Sequence, residues 1–172
     1  MKRIAPMLIM TMLAATVAGV VVVNAKPDFS GSWTMDRARS FGMPGNMQQT
    51  MVVTHKGDHV ELETKLIQPN NERVVKDSYI LDGKEHEFQP PTPPNAPKDA
   101  PPPAKGKRIG NWLPAGNGFT VTETTTNQTP QGPVTTQLTR KWTMSADGEL
   151  VIDMYIDNPN GSFETKRIFK RA

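Results

Sequence analysis

The sequence predicts an all-β protein folded as an antiparallel up-and-down β-barrel of about eight to ten strands. Apolar and polar residues alternate with a period of two in repeated runs rich in Thr and Val. Gly, Asp, Asn and Pro separate these runs, and no long stretch has the period of a helix. A sequential meander of this size removes its exposed edges by curling into a barrel. A sandwich of two sheets is the alternative.

The first 25 residues have the layout of a secretory signal peptide. A basic start is followed by an uncharged apolar run from Ile4 to Val23 and by a small-residue cleavage site that ends at Ala25. We therefore predict a signal helix over 1–25 and an exported domain over 26–172, either periplasmic or secreted, with no membrane span once the leader is removed. An uncleaved anchor is the alternative, because about 17–25 apolar residues can cross a bilayer.

The exported part is close to neutral. The whole chain has 20 basic and 17 acidic residues, and two of the basic ones, Lys2 and Arg3, lie in the leader. No basic stripe is interleaved with aromatic residues, so we expect no nucleic-acid partner. Cysteine is absent, which excludes disulfides and thiolate chemistry and leaves packing and backbone pairing to hold the domain together. The composition leaves the oligomeric state open.

The clearest hairpin is "MVVTHKGDHVELETKL". A two-residue turn at Gly57-Asp58 places Val53 and His55 on one face with Leu62. A three-residue loop would align them with Glu63 instead. Because the first register buries the apolar set, it is the one we predict.

Further turn signals divide the rest of the chain. Asp82-Gly83 predicts a hairpin turn, and 116–118 and Asp147-Gly148 predict two more. The segment "MDRARSFG" has room for one helical turn after the first strand. Residues 89–105 form a Pro-rich surface loop, since eight of the fourteen residues from Pro90 to Pro103 are proline and cannot join a central strand. This loop is either a tolerated insertion or a docking segment or flap.

The mature chain opens with Phe29-Ser-Gly-Ser-Trp33. Gly31 allows the first strand to bend or to approach another backbone closely, and the Trp33 indole can fill the narrow end of a small barrel. A guanidinium can lie flat on that ring, and Arg167 and Arg171 are both candidates. The pattern favours a structural plug formed by Gly31, Trp33 and Arg171 over direct stacking of Trp33 on a ligand.

This F-x-G-x-W stretch resembles the opening strand of lipocalins and fatty-acid-binding proteins, the calycin group. "FETKRIFKR" is similar to the last strand of fatty-acid-binding proteins, with Phe169 where they often carry tyrosine. The chain also resembles small exported bacterial lipocalin-like proteins of unsettled function, which begin P-D-F-S-G-T-W and carry W-T-x-S-x-D-G, here Trp142 to Gly148. The resemblance implies a barrel that holds a small hydrophobic or amphipathic ligand.

Charged residues fall on predicted inward faces. Arg140 alternates with Leu138 and Trp142, Glu123 with Phe119 and Val121, and Arg167 with Phe163, Thr165 and Phe169. One hypothesis is that the arginines bind an anionic headgroup, so the candidate ligand-binding residues are Arg140, Arg167, Glu123, Trp142 and Phe119. The other is a self-balancing Glu123–Arg140 pair across adjacent strands, which binds nothing.

No residue set predicts catalysis, a metal site or a cofactor. His55 and His59 have a metal-like spacing, but in the predicted register they face opposite sides of the strand pair. We therefore predict a non-enzymatic exported barrel that binds a small hydrophobic or anionic-headed ligand. The alternative is a structural or protein-interaction barrel filled by its own side chains. A cavity of roughly 300 Å³ or more, lined by Val53, Leu62, Val121, Leu138 and Ile152, would favour binding.

Overall fold

The computed structural model describes residues 26–43, 45–69, 71–91, 103–129 and 132–172. The predicted signal helix and most of the predicted Pro-rich loop lie outside these residues. The described part contains ten strands and one short 3₁₀ turn at Arg37–Arg39, where the sequence left room for a helical turn. The strands are β1 Gly31–Met35, β2 Gln48–Lys56, β3 His59–Gln68, β4 Asn71–Ile80, β5 Glu85–Phe88, β6 Gly106–Trp112, β7 Gly118–Thr129, β8 Gly132–Met144, β9 Leu150–Asn158 and β10 Gly161–Arg171.

All ten strands of the described residues form one antiparallel sheet in the order β4-β3-β2-β1-β10-β9-β8-β7-β6-β5. The predicted all-β up-and-down architecture is confirmed. The first strand joins the last, because Trp33 of β1 lies opposite Arg171 of β10. The sheet curls until β4 comes near β6, whose Arg108 donates to the carbonyl of Ser78, and within the described residues no ladder joins the two end strands, β4 and β5.

The Gly57-Asp58 hairpin has the predicted register. Lys56 pairs with His59 and Val53 with Leu62, so the turn has two residues. Gly57 has a φ of 62°, a left-handed conformation that favours glycine in such turns. Val53 is 2 % exposed, as expected for a register that buries the apolar face.

The predicted hairpin at Asp82-Gly83 is wrong. The chain does turn there, with Gly83 at a φ of 74°, but β4 and β5 do not pair with each other. Instead β5 pairs with β6, and the Gly83 amide donates to the carbonyl of Gly110 in β6. The turn connects β4, at one edge of the sheet, to β5, at the other edge. The partner of β5 is β6, which follows the Pro-rich segment in the chain.

The interior has an aromatic end and a charged middle. The ring centroid of Phe119 lies 5.0 Å from that of Phe29 and 5.3 Å from that of Trp142, and all three side chains are buried. The next layer contains Arg108 and Glu123, which are 7 % exposed each. Beyond it the strands run on to their connecting turns, and this second end, which we call the mouth, carries Phe163 half exposed on β10.

Phe163 follows the predicted alternation of β10 but not the predicted burial. It is 53 % exposed because it lies two residues from the turn at Gly161, where β9 and β10 extend past the core. Within the described residues, no helix combines the length and apolar character needed to cross a membrane.

Candidate ligand-binding cavity

The aromatic end is held together around Trp33. Its ring is fully buried, and its Nε1 donates to the carbonyl of Phe29 at 3.0 Å. The guanidinium of Arg171 lies over the ring, 4.6 Å from its centroid, and donates to the carbonyl of Ser30. Gly31 lies directly beneath, where a Cβ would come within 2.6 Å of the Arg171 guanidinium. The structure thus places Arg171, and not Arg167, against Trp33.

Glu123 lies at the centre of the charged layer, between two arginines. Its Oε1 is 2.6 Å from Nη2 of Arg108, and its Oε2 is 2.8 Å from Nη1 of Arg140. The Arg140 contact is a close charge pair whose atoms are not aligned as a directed hydrogen bond. Although burial lowers the pKa of Arg140, the nearby Tyr79 and Glu123 more than offset it and raise that pKa above its ordinary value. Arg140 therefore stays cationic.

Arg108 also reaches across to β4. Its Nη2 lies 2.8 Å from Asp77, and its Nη1 donates to the carbonyl of Ser78 at 2.6 Å. The rings of Tyr79 and Phe88 lie 4.8 Å and 4.1 Å from the guanidinium carbon. One side chain of β6 thus connects β4, β5 and β7.

Arg167 stands apart from this balanced network. Its Nη1 donates to Oε1 of Gln49 at 2.7 Å, while its Nε is buried without a hydrogen-bond partner. Among the described residues no carboxylate lies within ion-pair distance of it. Burial and the like charge of Arg140 lower the pKa of Arg167 to about 10. The contact with Gln49 is possible because β1 ends at Met35, so that side chains of β2 and β10 meet directly beyond it.

A cavity of about 160 Å³ lies between these groups. Arg140, Arg167 and the indole of Trp142 face it, and the Nε1 of Trp142 is buried without a partner. The rest of the lining is mainly apolar and comes from β2, β3, β4 and β9: Met51, Leu62, Leu66, Val75, Ile152 and Met154. The cavity thus combines a mainly apolar wall with two guanidinium groups, the carboxylate of Asp77 and the side chain of Tyr79.

The cavity differs from the one that the sequence led us to expect. It is smaller than 300 Å³, and of the five expected lining residues only Leu62 and Ile152 border it. Val53 and Val121 instead pack in the aromatic core. The rings of Phe29, Phe119 and Trp142 fill the part of the barrel where Val53 and Val121 were expected to line a cavity.

The candidate residues thus divide into two groups. Arg140, Arg167 and Trp142 border the cavity, whereas Phe119 is fully buried in the aromatic end and Glu123 lies behind Arg140 as its counter-ion. The ring of His55 packs against Phe29, and His59 is exposed on the opposite face of the strand pair. In the part of the chain that the structure describes, no three acidic or histidine side chains group together as metal ligands do.

No protein-family model and no curated protein matches the chain. Among solved structures, it is similar to a fatty-acid-binding protein from Manduca sexta, at 14 % identity and a TM-score of 0.46. The alignment covers 83 % of this chain and 99 % of that one.

Sequence reasoning missed two members of the site, Arg108 and Gln49. Arg108 lies in "GKRIGNW", where glycines on both sides hide the alternation that marks an inward face. Its position opposite Glu123 in the β6–β7 register was the available signal. Gln49 stands at the start of β2, and its contact with Arg167 depends on where β1 stops, which no local pattern indicates.

Proposed function

We propose that this protein is an exported carrier that binds a small amphipathic carboxylate in the interior cavity. Export is supported by the signal-peptide layout of residues 1–25. Binding is supported above all by Arg167, a cavity-lining guanidinium with one amide partner and no carboxylate partner among the described residues. A buried charge without a counter-ion is costly, and an anionic ligand would remove that cost.

The positions of the donors define the headgroup. Arg167 Nε and Trp142 Nε1 are buried N–H groups with no acceptor, and both side chains border the cavity. A carboxylate has two oxygens that can accept from such donors once the two side chains turn toward it, and the fixed fork of a guanidinium suits it. The charge of Arg140 is already shared with Glu123, so Arg167 supplies most of the attraction.

The volume defines the rest of the ligand. An apolar cavity of about 150 Å³ holds a molecule the size of benzene, and this one measures about 160 Å³. Met51 and Met154 border it, and their flexible thioether side chains adapt to different shapes. We therefore infer a ligand with a carboxylate and a hydrocarbon part of about six carbons.

Calorimetry with hexanoate and hexan-1-ol tests this function. We expect hexanoate to bind and the uncharged alcohol to bind at least about tenfold more weakly, a difference of about 1.4 kcal/mol. Arg167→Met should abolish that preference while keeping the fold, whereas Arg37→Met on the surface should leave it unchanged. Equal binding of acid and alcohol, or no binding of either, would contradict the proposal.

The second candidate is a barrel that is filled by its own side chains and acts as a structural or protein-interaction module. The observation that favours it is the Glu123–Arg140 pair, which balances two of the inward charges without a ligand. It predicts that Arg167→Met raises the free energy of unfolding and that neither hexanoate nor hexan-1-ol binds.

A further inference from the structure

The strand β4 forms one edge of the sheet and is long for an edge strand. It has ten residues, Asn71–Ile80, and pairs with β3 along its whole length. Among the strands that the structure describes, none forms a ladder with the other side of β4, which we call its open edge. An edge of this kind presents a row of backbone donors and acceptors that can pair with a strand of another chain.

The backbone groups on the open edge belong to the even-numbered residues of β4. Just after β4, the Leu81 amide donates to the carbonyl of Asp58, on the side of β3. In an antiparallel pair, successive residues alternate between bonding to the partner strand and pointing away from it. The Ser78 carbonyl agrees with this alternation, because it accepts from Arg108 of β6. Arg108 thus occupies the last part of the open edge.

The first part of the open edge is formed by Glu72, Val74 and Lys76, whose side chains are exposed on the outer face. Val74 is 48 % exposed, with an acidic and a basic residue two positions away on either side. Glu72 pairs with Lys65 at 2.8 Å and Lys76 with Glu63 at 3.2 Å, both on β3. The Glu72 and Lys76 side chains remain 55 % and 79 % exposed, so each has room for a further charge partner.

A second copy of β4 is complementary to this edge. Two identical strands related by a twofold axis pair antiparallel, each residue meeting its counterpart about the axis. When Val74 lies opposite Val74 of the partner subunit, Glu72 lies opposite the partner's Lys76, and Lys76 opposite the partner's Glu72. Opposite charges that face each other across two strands are stabilising. The spacing of the charges therefore favours the register centred on Val74.

The other twofold registers of this edge are less favourable. Centring the pair on any charged residue of this part of β4 would place that residue opposite its own copy, and like charges in that position are destabilising. Centring it on Val75 would pair Glu72 with Ser78, whose carbonyl already accepts from Arg108. The charges of β4 thus oppose mismatched pairing while they permit the matched one.

We propose that two copies of this chain form a reversible dimer by pairing β4 with β4 about a twofold axis at Val74. Three hydrogen-bonded residue pairs exchange about six backbone hydrogen bonds. On the outer face the charges then alternate in sign from Glu63 and Lys76 to the partner's Glu72 and the partner's Lys65. One strand pair is a small interface, so the association is weak and depends on concentration. The dimer is independent of the proposed function, because Glu72, Val74 and Lys76 do not border the interior cavity.

Sedimentation velocity over a series of protein concentrations tests this dimer. The unmodified protein should change from monomer to dimer as the concentration rises and go no further, because each copy carries one β4. Glu72→Lys and Lys76→Glu should each weaken the dimer by at least about tenfold, since each variant places like charges opposite each other at two positions. An equimolar mixture of the two variants should dimerise again, because every facing pair in the mixed dimer has opposite charges.

Lys105→Glu is the matched control for the charge change. It also breaks an exposed ion pair, with Glu87, but lies away from β4, and it should leave the Kd of the dimer within about twofold. Val74→Pro removes a backbone N–H that points away from β3, so it should abolish the dimer while the melting curve stays close to that of the unmodified protein. A protein that is monomeric at every concentration, or a dimer that persists in both Glu72→Lys and Val74→Pro, would overturn the proposal.

Discussion

The guanidinium of Arg171 lies 4.6 Å from the ring centroid of Trp33, and it brings the last strand onto the first at the aromatic end of the barrel. The same guanidinium donates to the carbonyl of Ser30. A cation over an indole face and a charge-assisted hydrogen bond together fix the two ends of the chain. The arrangement depends on Gly31, since any side chain there would meet the guanidinium.

Gly31→Ala should lower the free energy of unfolding by about 1–3 kcal/mol. The residue has a φ of 138°, and the new Cβ would lie 2.6 Å from Arg171. Gly161→Ala is the control, because Gly161 has a φ of 126° with nothing within 4 Å of the methyl group that the substitution adds. Denaturant unfolding should show a greater loss for Gly31→Ala, and the double variant with Arg171→Ala should lose less than the sum. Equal losses at the two glycines would refute the clash.

Trp33→Ala should lower the free energy of unfolding by about 3–5 kcal/mol, as for other truncated buried aromatic residues. The side chain is fully buried and its Nε1–H is satisfied by Phe29. Trp112→Ala should cost less, because Trp112 packs at the edge of the core. Urea unfolding curves of the two variants give the comparison. A loss below about 1 kcal/mol in Trp33→Ala would show that Trp33 does not plug the barrel.

Arg108→Ala should cost about 3–5 kcal/mol, because it leaves a buried carboxylate with fewer partners. The Arg108 and Glu123 side chains are 9 % and 8 % exposed. Lys105→Ala breaks the exposed pair with Glu87 on the neighbouring strand and should cost no more than about 1 kcal/mol. The same unfolding assay measures both variants. Similar small losses would mean that the charged layer contributes little to stability.

Hexanoate affinity should be constant from about pH 7 to pH 9 and fall above about pH 10. Burial and Arg140 lower the pKa of Arg167 to about 10 in the free protein, so its charge is complete below that pH and is lost as the pH rises through it. Each further pH unit should weaken binding by up to about tenfold, because the bound carboxylate requires the charged form. Calorimetry of Arg167→Met across the same range should show no such dependence.

The hairpins were predictable because their information is local. At Gly57-Asp58, the alternation of Val53 and Leu62 admits one register that buries both. At Asp82-Gly83 the same kind of signal was correct about the turn and wrong about the pairing. A turn sequence fixes how the chain bends, but the partner of β5 was decided by β6, beyond the Pro-rich segment.

The charged layer was predictable in part. Period-two alternation placed Glu123 and Arg140 on inward faces, and they do form a pair. It could not show that Arg108 would share Glu123, because glycines at 106 and 110 conceal the inward face of β6. The alternation also could not assign Arg171 to Trp33 and Arg167 to the cavity, because the two arginines lie on the same face of β10. What distinguishes them is the point where β1 ends, since Arg171 lies beside β1 and Arg167 lies beyond it.

A crystal structure of the protein purified without refolding and soaked with hexanoate tests the central claim most directly. We expect carboxylate density within hydrogen-bond distance of Arg167 Nε and Trp142 Nε1, with the hydrocarbon part against Met51 and Met154. An empty interior in which Arg167 has turned out to solvent, or a cavity closed by its own side chains, would contradict it.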